Sequence, residues 1–140
     1  MTLEVIPVAR KRAYPPRMSA FTQPFWEGLH TGRWQSTCCQ ACGKFTFPPK
    51  PVCPHCWSDR MEWKDLSPRG TLYSWTRIHA APKVFMDEAP YAVCVVDLDV
   101  GLRIASRLVE KPGVEFKPGI PVELLVLQYE DGPLFAARPA

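Results

Sequence analysis

Cys39-Gln-Ala-Cys42-Gly43-Lys44-Phe45-Thr46-Phe47-Pro48-Pro49-Lys50-Pro51-Val52-Cys53-Pro54-His55-Cys56 carries two Cys-x-x-Cys pairs separated by ten residues. Each pair suits a tight turn whose backbone amides point at its sulfurs, and Gly43 supplies the unusual dihedral such a turn needs. Four thiolates at this spacing describe a closed tetrahedral zinc site of the ribbon type. Two alternatives use the same residues: a pair of disulfides, or iron in a rubredoxin-like site. Redox iron has no further support in the chain, and the doubled spacing is among the more specific signals for zinc. The expectation is therefore zinc on Cys39, Cys42, Cys53 and Cys56. Cys38 adjoins the first ligand, but only Cys39 makes two equal pairs. His55 lies inside the second knuckle, where Cys53 and Cys56 already suffice.

Outside this stretch, 140 residues are about one domain's worth, and 46% hydrophobic residues suffice for a proper core. The metal need not carry the fold alone. Sixteen prolines argue for a loop-rich or β-rich chain rather than a helical bundle. The net charge of +3 is unevenly spread: residues 1–60 hold eight Lys/Arg against three Asp/Glu, and residues 61–140 hold nine against eleven. No apolar run approaches a membrane span and the N-terminus lacks a signal-peptide core, so a cytoplasmic protein with reduced cysteines is expected.

Three segments follow. Residues 1–32 hold a basic, proline-punctuated arm (1–17), a solvated tail or a partner contact, and then an amphipathic helix. In the helix, over Ser19 to His30, Phe21, Phe25, Trp26 and Leu29 share a face, with Thr22 as cap, Pro24 in the first turn and Gly32 beyond the end. That aromatic face packs on the protein's own core or on another subunit. Residues 33–66 form the ribbon, with an incoming strand from Arg33 to Cys38 and a return strand from Met61 to Leu66.

Residues 67–140 read as β throughout. In Gly70 to His79, Leu72, Ser74, Thr76 and Ile78 alternate with Tyr73, Trp75, Arg77 and His79. Pro90 to Leu98 is rich in Val and Ala, as in a strand buried on both faces, and Cys94 within it reads as core. Strands over Leu102 to Val109 and Val122 to Gln128, and a last one ending near Arg138, complete five. Five short strands in close succession predict an OB-fold barrel, in a chain that is mainly β. Phe85 and Met86, in the proline-flanked 80–90 loop, offer apolar surface for self-association or a partner.

Taken together, Pro24-Phe25-Trp26-Glu27-Gly28-Leu29, Cys39-x-x-Cys42-Gly43, Phe47-Pro48-Pro49, Cys53-Pro54-x-Cys56, Glu62-Trp63, Gly70-Thr71-Leu72-Tyr73-Ser74-Trp75-Thr76, Pro90-Tyr91 and Arg138-Pro139-Ala140 resemble one family. It is the family of small proteins that join a rubredoxin-like zinc ribbon to a C-terminal OB-fold and partner thiolase-like enzymes. The resemblance runs from about residue 19 to the C-terminus. It implies a non-catalytic accessory subunit in a hetero-oligomer with a thiolase- or aldolase-like chain acting on acyl-CoA. Cys38 departs from the basic residue usual there, which leaves a spare thiol beside the ligands.

The residues agree with an accessory role, because His30, His55 and His79 have no evident nucleophile and orienting partner in sequence. A coenzyme A ligand needs cations for its phosphates and a flat surface for adenine. Lys44, Phe47, Lys50, Tyr73 and Arg77 are the candidates around the ribbon–barrel junction, with Phe45 and Trp75 nearby. The competing class is a single-stranded nucleic-acid binder, since ribbons and OB-folds both serve there. The net negative barrel half counts against it.

Overall fold

The computed structural model describes residues 2–140. In chain order the elements are β1 (Val5–Pro7), α1 (Gln23–His30), β2 (Gln35–Cys39), β3 (Phe45–Thr46), β4 (Met61–Asp65), β5 (Arg69–Ile78), β6 (Tyr91–Leu98), β7 (Arg103–Leu108), β8 (Pro121–Tyr129) and β9 (Gly132–Pro139), with one 3-10 turn at Lys83–Phe85. No helix among the described residues is long and apolar enough to cross a membrane.

β2 is the centre of a three-stranded antiparallel sheet with β3 and β4, and all five of its residues are buried. The other sheet closes on itself in the order β5-β6-β7-β9-β8-β5, with β7 and β9 parallel through Arg107↔Ala136 and Leu108↔Ala137. This is a five-stranded OB-fold barrel. Leu72, Val96, Val122, Leu124 and Val126 fill it. Burying each such side chain stabilises by about 1.5–3 kcal/mol. Phe25, Trp34, Phe47 and Phe135 meet with ring centroids 5.4–6.3 Å apart and fasten helix, ribbon and barrel together. The aromatic face of α1 thus packs on the protein's own core.

Four expectations need correction. The helix begins at Gln23 rather than Ser19, and Thr22 makes no side-chain cap. Instead Thr22 Oγ1 accepts from the Ser19 N–H at 3.0 Å, closing a separate turn that spends the capping oxygen. The arm is neither a free tail nor a partner contact along its whole length. β1 pairs in parallel with β8, Leu3 is buried, and the Arg12 guanidinium lies against Gly132, where any Cβ would sit 2.5 Å from it. Asp131 fixes that arginine through its backbone N–H at 2.8 Å.

The third correction concerns β5, whose alternation is broken by a β-bulge between Leu72 and Ser74. One extra residue exchanges the faces beyond it. Trp75 and Arg77 pair with the inward-facing Cys94 and Ala92, whereas Ser74 and Thr76 join Val95 and Val93 on the outside. The fourth concerns β6, which is buried on one face only: Ala92, Cys94, Val96 and Leu98 point inward, and Val93 and Val95 are half-exposed. In the 80–90 loop, Phe85 stacks between Tyr14 and Tyr91, while Met86 is 61% exposed. The two hydrophobes of that loop therefore part company.

Candidate metal centre

The two knuckles repeat one hydrogen-bond pattern. Cys39 N–H donates to the Lys44 carbonyl at 3.0 Å, and Gly43 N–H donates back to Cys39 at 2.8 Å. Cys53 N–H donates to the Ser58 carbonyl at 2.8 Å, and Trp57 N–H donates back to Cys53 at 2.9 Å. Each loop aims an amide at its first sulfur, Cys42 N–H to Cys39 Sγ and His55 N–H to Cys53 Sγ, both at 3.4 Å. Anchoring falls to β2, which ends on Cys39. Within it Ser36 donates to the Thr46 carbonyl, and Thr37 Oγ1 accepts from Lys50 N–H at 3.1 Å, which holds the linking loop against the sheet.

All four sulfurs lie within 4.8 Å of one another, with Cys39 and Cys56 at 3.5 Å and Cys42 and Cys53 at 3.6 Å. Metal–sulfur bonds of about 2.3 Å in a tetrahedron separate sulfurs by about 3.8 Å, so the residues present fit one metal ion. The electrostatics agree. The Cys39 thiol falls to about 6, chiefly because Cys42 N–H stabilises its anion. The Cys56 thiol is pushed up to about 11: the Ser58 backbone lowers it, but the Cys39 thiol and burial outweigh that. Four adjacent anions repel, and a divalent cation among them removes the conflict. His55 is exposed and outside the sulfur cluster, and Cys38 directs its sulfur at the Gly43 carbonyl, 3.6 Å away.

The five candidate ligand residues do not gather in one cleft. Lys44 and Lys50 are exposed on the ribbon, and Phe47 is taken up by the aromatic junction. Tyr73 stands outside the barrel with the Arg103 guanidinium 3.7 Å above its ring, and Arg103 in turn pairs with Asp97. Arg77, on the other face because of the bulge, pairs with Glu110 and lies over Trp75 and Phe116. Those residues line a cleft of about 290 Å³ with Val114 and Glu115. A larger groove of about 410 Å³ lies along β6 and β7 and escapes a reading of the sequence. Arg107 stacks on Tyr91 there at 4.2 Å and pairs with Glu88 at 2.5 Å, and the Tyr129 hydroxyl donates to Glu88 at 3.3 Å. Glu88 and Arg107 are 19 residues apart, so no local motif announces them.

Residues 26–62 match the family model "ChsH2, rubredoxin-like zinc ribbon domain", and residues 63–128 match "ChsH2, C-terminal OB-fold domain". A "DUF35 domain-containing scaffold protein" of Methanocaldococcus jannaschii is 33% identical over 97 residues, 67% of this chain and 68% of that one. The chain belongs to the ChsH2 (DUF35) family. A second member of similar sequence is the "Benzoylsuccinyl-CoA thiolase subunit BbsA" of Thauera aromatica, 37% identical over 92 residues, 63% of this chain and 59% of that one. Among solved structures, a chain of the Ltp2-ChsH2(DUF35) aldolase superposes with a TM-score of 0.77 at 29% identity, covering 89% of this chain and 98% of that one. The metal-sized cysteine cluster of this ChsH2-family chain lies wholly within the ribbon match, and the Arg77 cleft and the Glu88 groove within the barrel match apart from Val8, Arg10 and Tyr129.

Proposed function

We propose that this chain is a zinc-binding, non-catalytic accessory subunit of a thiolase- or aldolase-like enzyme acting on acyl-CoA. The likeness to the ChsH2 chain of an aldolase assembly over nearly that chain's whole length carries the reading. The relative named as a thiolase subunit supports it. Zinc on Cys39, Cys42, Cys53 and Cys56 completes the ribbon, since a closed four-thiolate site has no open position for a substrate and serves structure.

The remaining side chains support a role outside the chemistry. Cys94 is buried, and desolvation raises its thiol, the opposite of what a nucleophile needs. Cys38 is buried too, and His30 is engaged with Gln128 at 2.9 Å. The reacting groups then belong to the partner, and this chain contributes cations and aromatics to the nucleotide end of the acyl-CoA. Arg77, in its aromatic cleft, and the exposed Lys50 are the phosphate contacts of this reading; Lys44 lies with Lys50 on the ribbon, whereas Phe47 in the aromatic junction and Tyr73 on the opposite face of β5 stand apart from Arg77. Nucleic-acid binding is less well supported, because residues 61–140 hold nine Lys/Arg against eleven Asp/Glu and Arg103 and Arg107 on the barrel are each neutralised by a carboxylate.

The test is reconstitution with the thiolase-like chain that co-purifies from the source organism. Arg77→Ala and Lys50→Ala are expected to raise KM for acyl-CoA several-fold each, about 1 kcal/mol per lost charged contact, with kcat unchanged. Loss of kcat at unchanged KM would place this chain in the chemistry and end the accessory reading.

A further inference from the structure

Trp57 occupies in the second knuckle the place that Gly43 occupies in the first. Both close the same turn onto the carbonyl of the leading cysteine, and both need a left-handed backbone, φ +76 at Gly43 and +66 at Trp57. Trp57 is the only residue other than glycine with a positive φ among the described residues. Bulky side chains disfavour that region, so its persistence calls for a compensating role. The fold supplies none. Trp57 is 81% exposed, the most exposed large hydrophobic residue among the described residues, and it joins none of their aromatic pairs.

The chain leading to it is apolar and exposed at Pro51, Val52, Pro54 and His55, and charge begins only beyond it, at the exposed Asp59 and Arg60, with Arg60 the one Lys or Arg within six residues of the indole. The knuckle holds the backbone on both sides of the indole, so it is presented already ordered, at little entropic cost on binding. Large rigid aromatics ringed by uncharged residues are the usual anchors of protein interfaces. Aromatics that stack on nucleic-acid bases are instead interleaved with cations. We infer that Trp57 is the ribbon's docking anchor, its indole entering an apolar pocket on the thiolase-like catalytic subunit. The inference rests on the accessory-subunit reading above.

Trp57→Gly makes a clean variant, because glycine suits the same backbone. It is expected to keep its zinc and to melt a few degrees higher than the wild type. Both zinc-loaded chains are used as bait in an extract of the source organism. The captured thiolase-like subunit is identified by mass spectrometry and purified, and its Kd is measured against each. The expected result is binding about 30-fold weaker for Trp57→Gly, with Trp57→Phe intermediate. Wild-type fluorescence is expected to lose quenching by acrylamide on complex formation, and the variant to show little of this change. Equal Kd values for wild type and Trp57→Gly overturn the docking role and leave the accessory reading standing. Capture of no thiolase-like chain by the wild type overturns both. Trp57-dependent self-association in light scattering, or Trp57-dependent binding of oligo(dT), assigns the indole to another occupant and overturns the inference.

Discussion

In the barrel every strand has a neighbour on both edges, and its interior is filled by Leu72, Val96, Val122, Leu124 and Val126. In the ribbon the strands are five, two and five residues long, and the centre between them is Ser36, Thr37 and Thr46. Small hydroxyl residues bury little apolar area. Their burial stabilises by only a fraction of what a leucine supplies, and their polar atoms must be matched or left at a cost. The Thr46 hydroxyl in fact has no hydrogen-bond partner among the described residues. On the reading proposed above, the two sheets are therefore held differently, one by an apolar core and the other by four sulfurs that would close around a cation. What joins them is the aromatic cluster of Phe25, Trp34, Phe47 and Phe135, which belongs to neither sheet alone.

The sharpest way to break this division is to remove a sulfur. Cys39→Ser is expected to lose the metal and unfold residues 35–65 while the barrel keeps its sheet, since structural zinc contributes on the order of 10 kcal/mol to such a module. Elemental analysis with far-UV circular dichroism reads both effects. A variant that keeps one metal per chain means that the ligand set is wrong. Next in size is the joint. Trp34 is 1% exposed and packs against Phe25, Phe47 and Phe135, so Trp34→Ala is expected to cost about 3–5 kcal/mol in denaturant unfolding. It is also expected to separate one cooperative transition into two. A single transition would show that the sheets are coupled by something other than this cluster. The smallest effect is at Cys38. Its sulfur faces the Gly43 carbonyl, so Cys38→Ser is expected to leave zinc stoichiometry unchanged.

Elements governed by local chemistry were legible in the sequence. The two knuckles, the incoming and return strands of the ribbon and the five barrel strands lie within a residue or two of their expected places, because cysteine spacing and alternation are written into adjacent positions, while the two-residue β3 was not foreseen. What depends on distant partners was hidden. β1 pairs with a strand some 120 residues away, and no pattern in three residues announces a parallel partner. The bulge at Tyr73 was invisible because the sequence alternates through it without a glycine or a proline to mark the extra residue. That one residue sends Tyr73 and Arg77 to opposite faces, so the candidate ligand surface read along the strand is divided in space. The four thiols, by contrast, converge as their spacing implies, since two turns on one short sheet leave them little other choice.

Hydrogen exchange measured by mass spectrometry, on the chain with one zinc bound and again after chelation, tests the division most directly. With metal removed, amides of 35–39 and 61–65 are expected to exchange at unprotected rates. Those of 91–98 and 121–129 are expected to stay protected by the closed sheet and its core. A ribbon that stays protected without metal, or a barrel that loses protection together with it, would contradict the account.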